Sequence, residues 1–407
     1  MIVISKKKAL VFLITFIFFA GNNIGGLAGI NSIIKLLNNI LALYMFSDIC
    51  FPLIKDKKIE KPTLITTLFL LYLTTYITIT LITGGELVFN NVTSMLKSAV
   101  LLVWMDRHIK EDIDLLEGPI LVAFYTWCIF DTIVTVLYPA GAPFLMNGYV
   151  LGWKNNKIMY FVITNLLSAY HYVKLEGTRE RINFAIVWGI LAIGCIVNSI
   201  LIESSTTLMV VILIVLFVPL RKVLSITPLV NEKFVMGFHA LCFFLIIFVR
   251  ELFQEPLDKL MNVLFGKDAT FTGRIYIWRV ALAQIIKSPI WGYGKYGTQY
   301  TILPSEYEYE YAWTMAHNQI LDLMLRGGII ILSLWLCVLI VIMQTNRKSK
   351  TIYSKMSTYT MFCLLFFFHT EASTDVITYF IFLCLYLIGQ EHTRSILKRE
   401  DYEITKE

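Results

Sequence analysis

Thr206-Thr207-Leu208-Met209-Val210-Val211-Ile212-Leu213-Ile214-Val215-Leu216-Phe217-Val218-Pro219-Leu220 is an uncharged, strongly apolar run closed by Arg221-Lys222. Coiled as a helix, such a run nears the span of a hydrocarbon core about 30 Å thick. Comparable runs begin near Ala9, Ile33, Thr63, Val92, Pro119, Ile158, Ile182, Phe234, Ile320, Ser357 and Val376. Together they predict about twelve spans. The last two are short and also read as one helix broken near His369. Composition agrees, with 57% hydrophobic and 16% charged residues among 407 and a mean hydropathy of +0.69. Soluble proteins carry about 25% charged residues, so a water-facing globule is excluded. The expected fold is all-α: a polytopic transmembrane helical bundle forming a single membrane domain over residues 1–407.

The net charge of +6 does not point to nucleic acid, because the positive residues sit in short loops between apolar runs. The seven cysteines (Cys50, Cys128, Cys195, Cys242, Cys337, Cys363 and Cys384) fall within or beside those runs. With no CxxC or Cys/His spacing, they predict neither a zinc site nor a disulfide framework. Lys6-Lys7-Lys8 precedes an apolar run with no A-x-A-like cleavage site, which reads as a retained first span. Most Lys and Arg fall on one side of an alternating topology, and the positive-inside rule puts both termini in the cytoplasm.

The exception is residues 250–319, an expected large extracytoplasmic loop between the ninth and tenth predicted spans. Long translocated loops escape the charge rule, and connections of this length are usually functional. Within it, Ile275, Trp278, Leu282, Ile285 and Ile286 fall at helical spacings from Arg274 to Lys287. Thr272 is a candidate cap and Ser288-Pro289 a stop. The pattern predicts an amphipathic helix on the outer membrane surface. Gly292-Tyr293-Gly294 then reads as a flexible turn, followed by an aromatic and acidic stretch, Glu306-Tyr307-Glu308-Tyr309-Glu310-Tyr311-Ala312-Trp313.

Chemistry concentrates in three places. Arg274 starts the predicted surface helix, with Trp278 one turn on, and a cation joined to free backbone N–H groups suits an oxyanion such as a diphosphate. The same arginine also reads as one snorkelling to lipid phosphates. His317-Asn318 opens the tenth predicted span; a neutral imidazole there can take a proton from a hydroxyl, or be structural. Asn318, Asp322 and Arg326 share a face, the last two as an i,i+4 ion pair. His369-Thr370-Glu371 and Ser373-Thr374-Asp375 mark a polar break that lines a cavity or forms a solvated hairpin tip. The hydroxyls of Glu203-Ser204-Ser205-Thr206-Thr207 suit a sugar site, but the stretch is read as a helix cap, common at helix starts. Asp112-Ile113-Asp114 spells a D-x-D pattern in a mixed-charge loop and carries no further sign of a metal-dependent transferase.

Thr272-Gly273-Arg274 with Trp278, Pro289 and Gly292-x-Gly294, and then His317-Asn318 and Gly327 resemble the O-antigen ligase and O-antigen polymerase superfamily. The resemblance extends to the number of spans, the late outer loop and the cytoplasmic termini. It implies transfer of a glycan from an undecaprenyl diphosphate carrier on the outer face of the bacterial cytoplasmic membrane, without metal, cofactor or nucleotide sugar. By that resemblance Arg274 holds the diphosphate and His317 assists the acceptor hydroxyl. Many members carry an arginine just after the serine where this chain has Ser204-Ser205-Thr206. Arg250 and Arg279 are therefore the candidates for a second diphosphate-binding cation, with Lys287 and Lys295 nearby. Trp278, Asn318, Glu371 and Trp313 are candidates for substrate contact, and Glu371 is an alternative base.

A repeat-unit polymerase for capsular, exo- or O-antigen polysaccharide leads these expectations. A ligase moving finished glycan to lipid A core, protein or cell wall uses the same residues. A secondary transporter would show two similar halves with matching broken spans, which the chain lacks. Expected partners are the lipid-linked oligosaccharide, membrane lipids, a flippase and a chain-length regulator.

Overall fold

A computed structural model describes residues 5–20, 30–55, 61–84, 89–145, 148–152, 155, 157–249, 274–295 and 315–391. All-helical architecture follows in these residues, without a β-strand among them. The helices are α1 (Lys6–Phe18), α2 (Ile30–Lys55), α3 (Leu64–Ile82), α4 (Phe89–Glu111), α5 (Leu121–Leu137), α6 (Ile158–Lys174) and α7 (Thr178–Leu201). They continue with α8 (Ser205–Leu224), α9 (Glu232–Phe244), α10 (Arg274–Lys287), α11 (Gln319–Ser349), α12 (Ile352–Thr370) and α13 (Val376–Gly389).

Every predicted run falls in a helix. Among the described residues, six segments are long and apolar enough to cross a membrane by length and composition: Ser32–Pro52, Leu64–Ile82, Ile113–Leu137, Thr178–Leu201, Ser205–Leu224 and Gln319–Ser349. The other runs form shorter or more polar helices, such as the 13 residues of α1 and the 14 of α13. Side chains such as Ile186, Ile190 and Ile193 of α7 point outward, as helices facing lipid require, because an apolar surface there meets an apolar solvent. The centre is built from α12 and α13, almost entirely buried along their lengths. Ser357 Oγ donates to the Leu385 carbonyl at 2.9 Å, pairing the start of α12 with the end of α13. These two are an antiparallel hairpin turning at residues 371–375, which settles the alternative of one broken helix.

Helix α10 begins at Arg274 and ends at Lys287, as periodicity predicted. Part of its apolar stripe meets protein, while Ile286 of the same stripe is exposed. Ile277, Trp278, Ala281 and Ile285 pack with Ala316, Leu321 and Leu325 at the start of α11. Periodicity identifies a face that avoids water, and the opening turns of α11 supply the cover.

Gly327 and Gly328 leave helical geometry inside α11, with Gly328 at φ 58° and ψ −156°. Breaking a helix frees backbone groups that need partners, and residues 289–294 supply them. Tyr293 N–H donates to Leu325 O at 2.7 Å, Gly294 N–H to Arg326 O at 2.9 Å, and Ile329 N–H to Pro289 O at 2.9 Å. The turn at Gly292-Tyr293-Gly294, expected to be flexible, is thus held by two of these bonds. The approach is too close for side chains: a Cβ on Gly328 would lie 2.1 Å from Ile290 O, and one on Gly292 (φ +60°) 2.5 Å from Leu325 O.

Gly328→Ala should therefore lower the thermal unfolding midpoint of the detergent-solubilised protein markedly. Gly189→Ala, in α7 with open space around its Cβ, should be neutral or stabilising by up to ~1 kcal/mol. Equal melting of the two variants would contradict the backbone pairing.

Candidate functional site

Ser204, Arg274, His317, Asn318 and Glu371 gather at one end of the bundle. Three helices begin there, and the residues at their starts converge on the Glu371 carboxylate, which follows the last residue of α12. Ser204 caps α8, accepting from Thr207 N–H at 3.4 Å, and its hydroxyl donates to Asn155 Oδ1 at 2.7 Å. Asn155 turns its Nδ2 to Glu371 Oε1. Arg274, the first residue of α10, donates from Nη2 to the same oxygen. Asn318 caps α11, accepting from Ile320 and Leu321 N–H at 3.1 and 3.2 Å. One residue earlier, His317 Nδ1 lies 2.9 Å from Glu371 Oε2.

The electrostatics explain the convergence. A carboxylate at the C-terminal end of α12 sits at the negative end of that helix dipole, an unfavourable place for an anion. The starts of α8, α10 and α11 bring the opposite polarity, and Arg274 adds a full charge in a charge-assisted hydrogen bond. Arg274, Glu371 and His317 side chains are 17%, 8% and 18% exposed, open enough for a ligand yet sheltered from bulk screening. A carboxylate oxygen accepts, so His317 Nδ1 is the donor in this bond. His317 and Glu203, the residues just before caps Asn318 and Ser204, adopt left-handed φ of 46° and 57°. Strain of this kind, of order 1–3 kcal/mol, persists where the surroundings over-determine a residue.

Those surroundings are well defined. Trp278 Nε1 donates to Ala316 O at 2.9 Å, and Asn318 Nδ2 to His369 O at 2.9 Å. Gln319 Oε1 accepts from Ser373 N–H at 2.7 Å, and Asp322 pairs with Arg326 at 2.5 Å. Trp278 and Asn318, expected to touch substrate, are buried and brace the backbone on either side of His317. Arg279 is exposed on α10. Lys295, whose backbone N–H donates to Thr80 Oγ1 at 3.0 Å, has its ammonium pKa lowered by burial and by Arg326. Arg250 and Trp313 lie outside the described residues, as do Thr272 and the stretch 306–313.

Sequence reasoning missed Asn155 and what holds it. Two residues on, Lys157 is fully buried and reaches Asp131 Oδ2 of α5 at 2.9 Å. Its Nζ also donates to Thr135 Oγ1 at 2.8 Å and Asn198 Oδ1 at 3.1 Å, and lies 3.7 Å from the Tyr149 ring centroid. Asp131 takes Leu151 N–H and Asn198 Nδ2 besides. The pair anchors the loop between α5 and α6 and fixes where Asn155 stands. An aspartate inside the apolar run of α5 was the available signal, since an ionisable residue at such a place needs a partner. Lys157 is committed to Asp131, Thr135 and Asn198.

A helical membrane bundle closing one end on a cation, a carboxylate and an imidazole has the parts for group transfer at a membrane surface. Residues 190–336 match the family model described as O-antigen ligase. That match, over less than half of the chain, agrees with the resemblance carried by Arg274 and His317. Several of the described helices are long and apolar enough for a multi-pass membrane protein. The matched region contains Ser204, Arg274 and His317, while Asn155 and Glu371 lie on either side of it. No curated protein matches the chain.

Removing one member of a buried ion pair destabilises by about 3–5 kcal/mol because the other charge is left uncompensated. Lys157→Met should lower the melting temperature in detergent, and adding Asp131→Asn should recover part of the loss. A double variant no more stable than Lys157→Met would show that the pair is not what holds this loop.

Proposed function

We propose that the protein is a polysaccharide polymerase. It joins undecaprenyl-diphosphate-linked oligosaccharide repeat units into capsular, exo- or O-antigen polysaccharide on the outer face of the cytoplasmic membrane. The chain then acts as one membrane domain, with residues 250–319 on the extracytoplasmic side and both termini in the cytoplasm. The observation that carries this reading is the meeting of Arg274 and His317 on one carboxylate, two segments 43 residues apart, within or beside the family match.

The reaction needs charge stabilisation more than a strong acid. The acceptor sugar hydroxyl attacks the anomeric carbon of the donor glycan, forming a new C–O bond. The bond from that carbon to the diphosphate oxygen breaks, and its electron pair leaves with the polyprenyl diphosphate. Arg274, at the start of α10, stabilises the charge that grows on the leaving oxygen, a type of stabilisation that is often the largest catalytic term. The hydroxyl proton passes to His317 Nε2, while Glu371 holds Nδ1 and steadies the imidazolium that forms. No metal or cofactor has a part in this route. Delivery of donor units by a flippase and length control by a regulator fit the same assignment.

Incubating the purified protein with lipid-linked repeat units and sizing the product on a gel tests the reading. A ladder of lengths is the polymerase result. Attachment of a finished glycan to a different acceptor, without a ladder, would make the protein a ligase. Arg274→Ala should slow the reaction by roughly 10²–10³-fold and His317→Ala by roughly 10²–10⁴-fold, with both variants still inserted in the membrane. Wild-type rates in either variant would remove that residue from the mechanism.

A further inference from the structure

Glu371 does two jobs that conflict once a diphosphate arrives. One oxygen accepts from Arg274 and Asn155, and the other from His317. Arg274 is the residue that the polymerase reading assigns to the diphosphate, and the inference here rests on that reading. The donors to Oε1 are those an oxyanion site requires: a guanidinium and a primary amide. Neither of them distinguishes a carboxylate oxygen from a phosphate oxygen.

We propose that Glu371 is an internal counter-anion that occupies the diphosphate position on Arg274 in the resting protein and is displaced from it by the incoming donor. A polyprenyl diphosphate carries more negative charge than one carboxylate and offers several oxygens, so it competes well for the arginine. Glu371 lies in the 371–375 connection between α12 and α13, where a side-chain rotation disturbs no helix. Released from Arg274, its carboxylate keeps His317 through Oε2. Donor entry thereby converts a closed Arg274–Glu371–His317 chain into two working pairs, diphosphate with arginine and carboxylate with imidazole. After transfer the same competition runs in reverse, and Glu371 helps the spent carrier to leave.

The test measures binding of a sugar-free polyprenyl diphosphate to the purified full-length protein, comparing wild type with Glu371→Gln, Arg274→Ala and the double variant. Glu371→Gln removes the competing charge and should bind about tenfold more tightly, equivalent to ~1.4 kcal/mol. The gain should vanish in the Arg274→Ala background, since the two residues act on one oxyanion. Glu371→Ala carries the same expectation if the glutamine variant does not fold, and Glu371→Asp, which keeps the charge, should stay near wild type. Wild-type or weaker binding by both uncharged variants, with binding still dependent on Arg274, overturns the displacement and leaves the diphosphate assignment standing. Undiminished binding by Arg274→Ala overturns both.

Discussion

Backbone hydrogen bonds have nowhere to go in a lipid interior, and this constraint shapes the site end of the bundle. Wherever a helix stops or breaks there, protein must take up the freed N–H and C=O groups. The break in α11 is met by residues 289–294, and the start of α11 by the Asn318 side chain. The end of α12 is tied across to Asn318 through the His369 carbonyl. Each of these repairs also fixes a neighbour of the reactive cluster. Local order around His317 is therefore a by-product of satisfying the backbone, not a separate feature added for chemistry.

Charge placement follows the same logic. Three helix starts face the end of α12, so an anion among them is favoured and one is present, the Glu371 carboxylate. The buried Lys157–Asp131 pair lies behind Asn155 and holds it at hydrogen-bonding distance from both Ser204 and Glu371. The cluster combines preorganised donors with partial exposure, the combination in which electrostatic stabilisation is most effective, because little reorganisation is needed when charge develops.

Much of this was legible in the sequence. Apolar runs located the helices, and periodicity with a Ser-Pro stop delimited α10 at both ends. Arg274, His317 and Glu371 stood out as charged or titratable groups beside apolar runs. What stayed hidden was long-range pairing. An apolar stripe on α10 does not say whether lipid or α11 covers it, and Trp278 on that stripe proved to brace Ala316. Gly292 and Gly294 indicated unusual backbone but not the broken helix they pair with. Asn155 carried no local pattern at all, because its role depends on Lys157 finding an aspartate from a different helix.

The carboxylate at the hub belongs to the connection between the last two helices, whereas its partners come from segments beginning more than two hundred residues earlier, at Asn155. During synthesis those earlier pieces enter the bilayer without the group that joins them. The cluster of Arg274, His317 and Glu371 is consequently incomplete until the α12–α13 hairpin docks, so insertion of that hairpin and assembly of the cluster finish together.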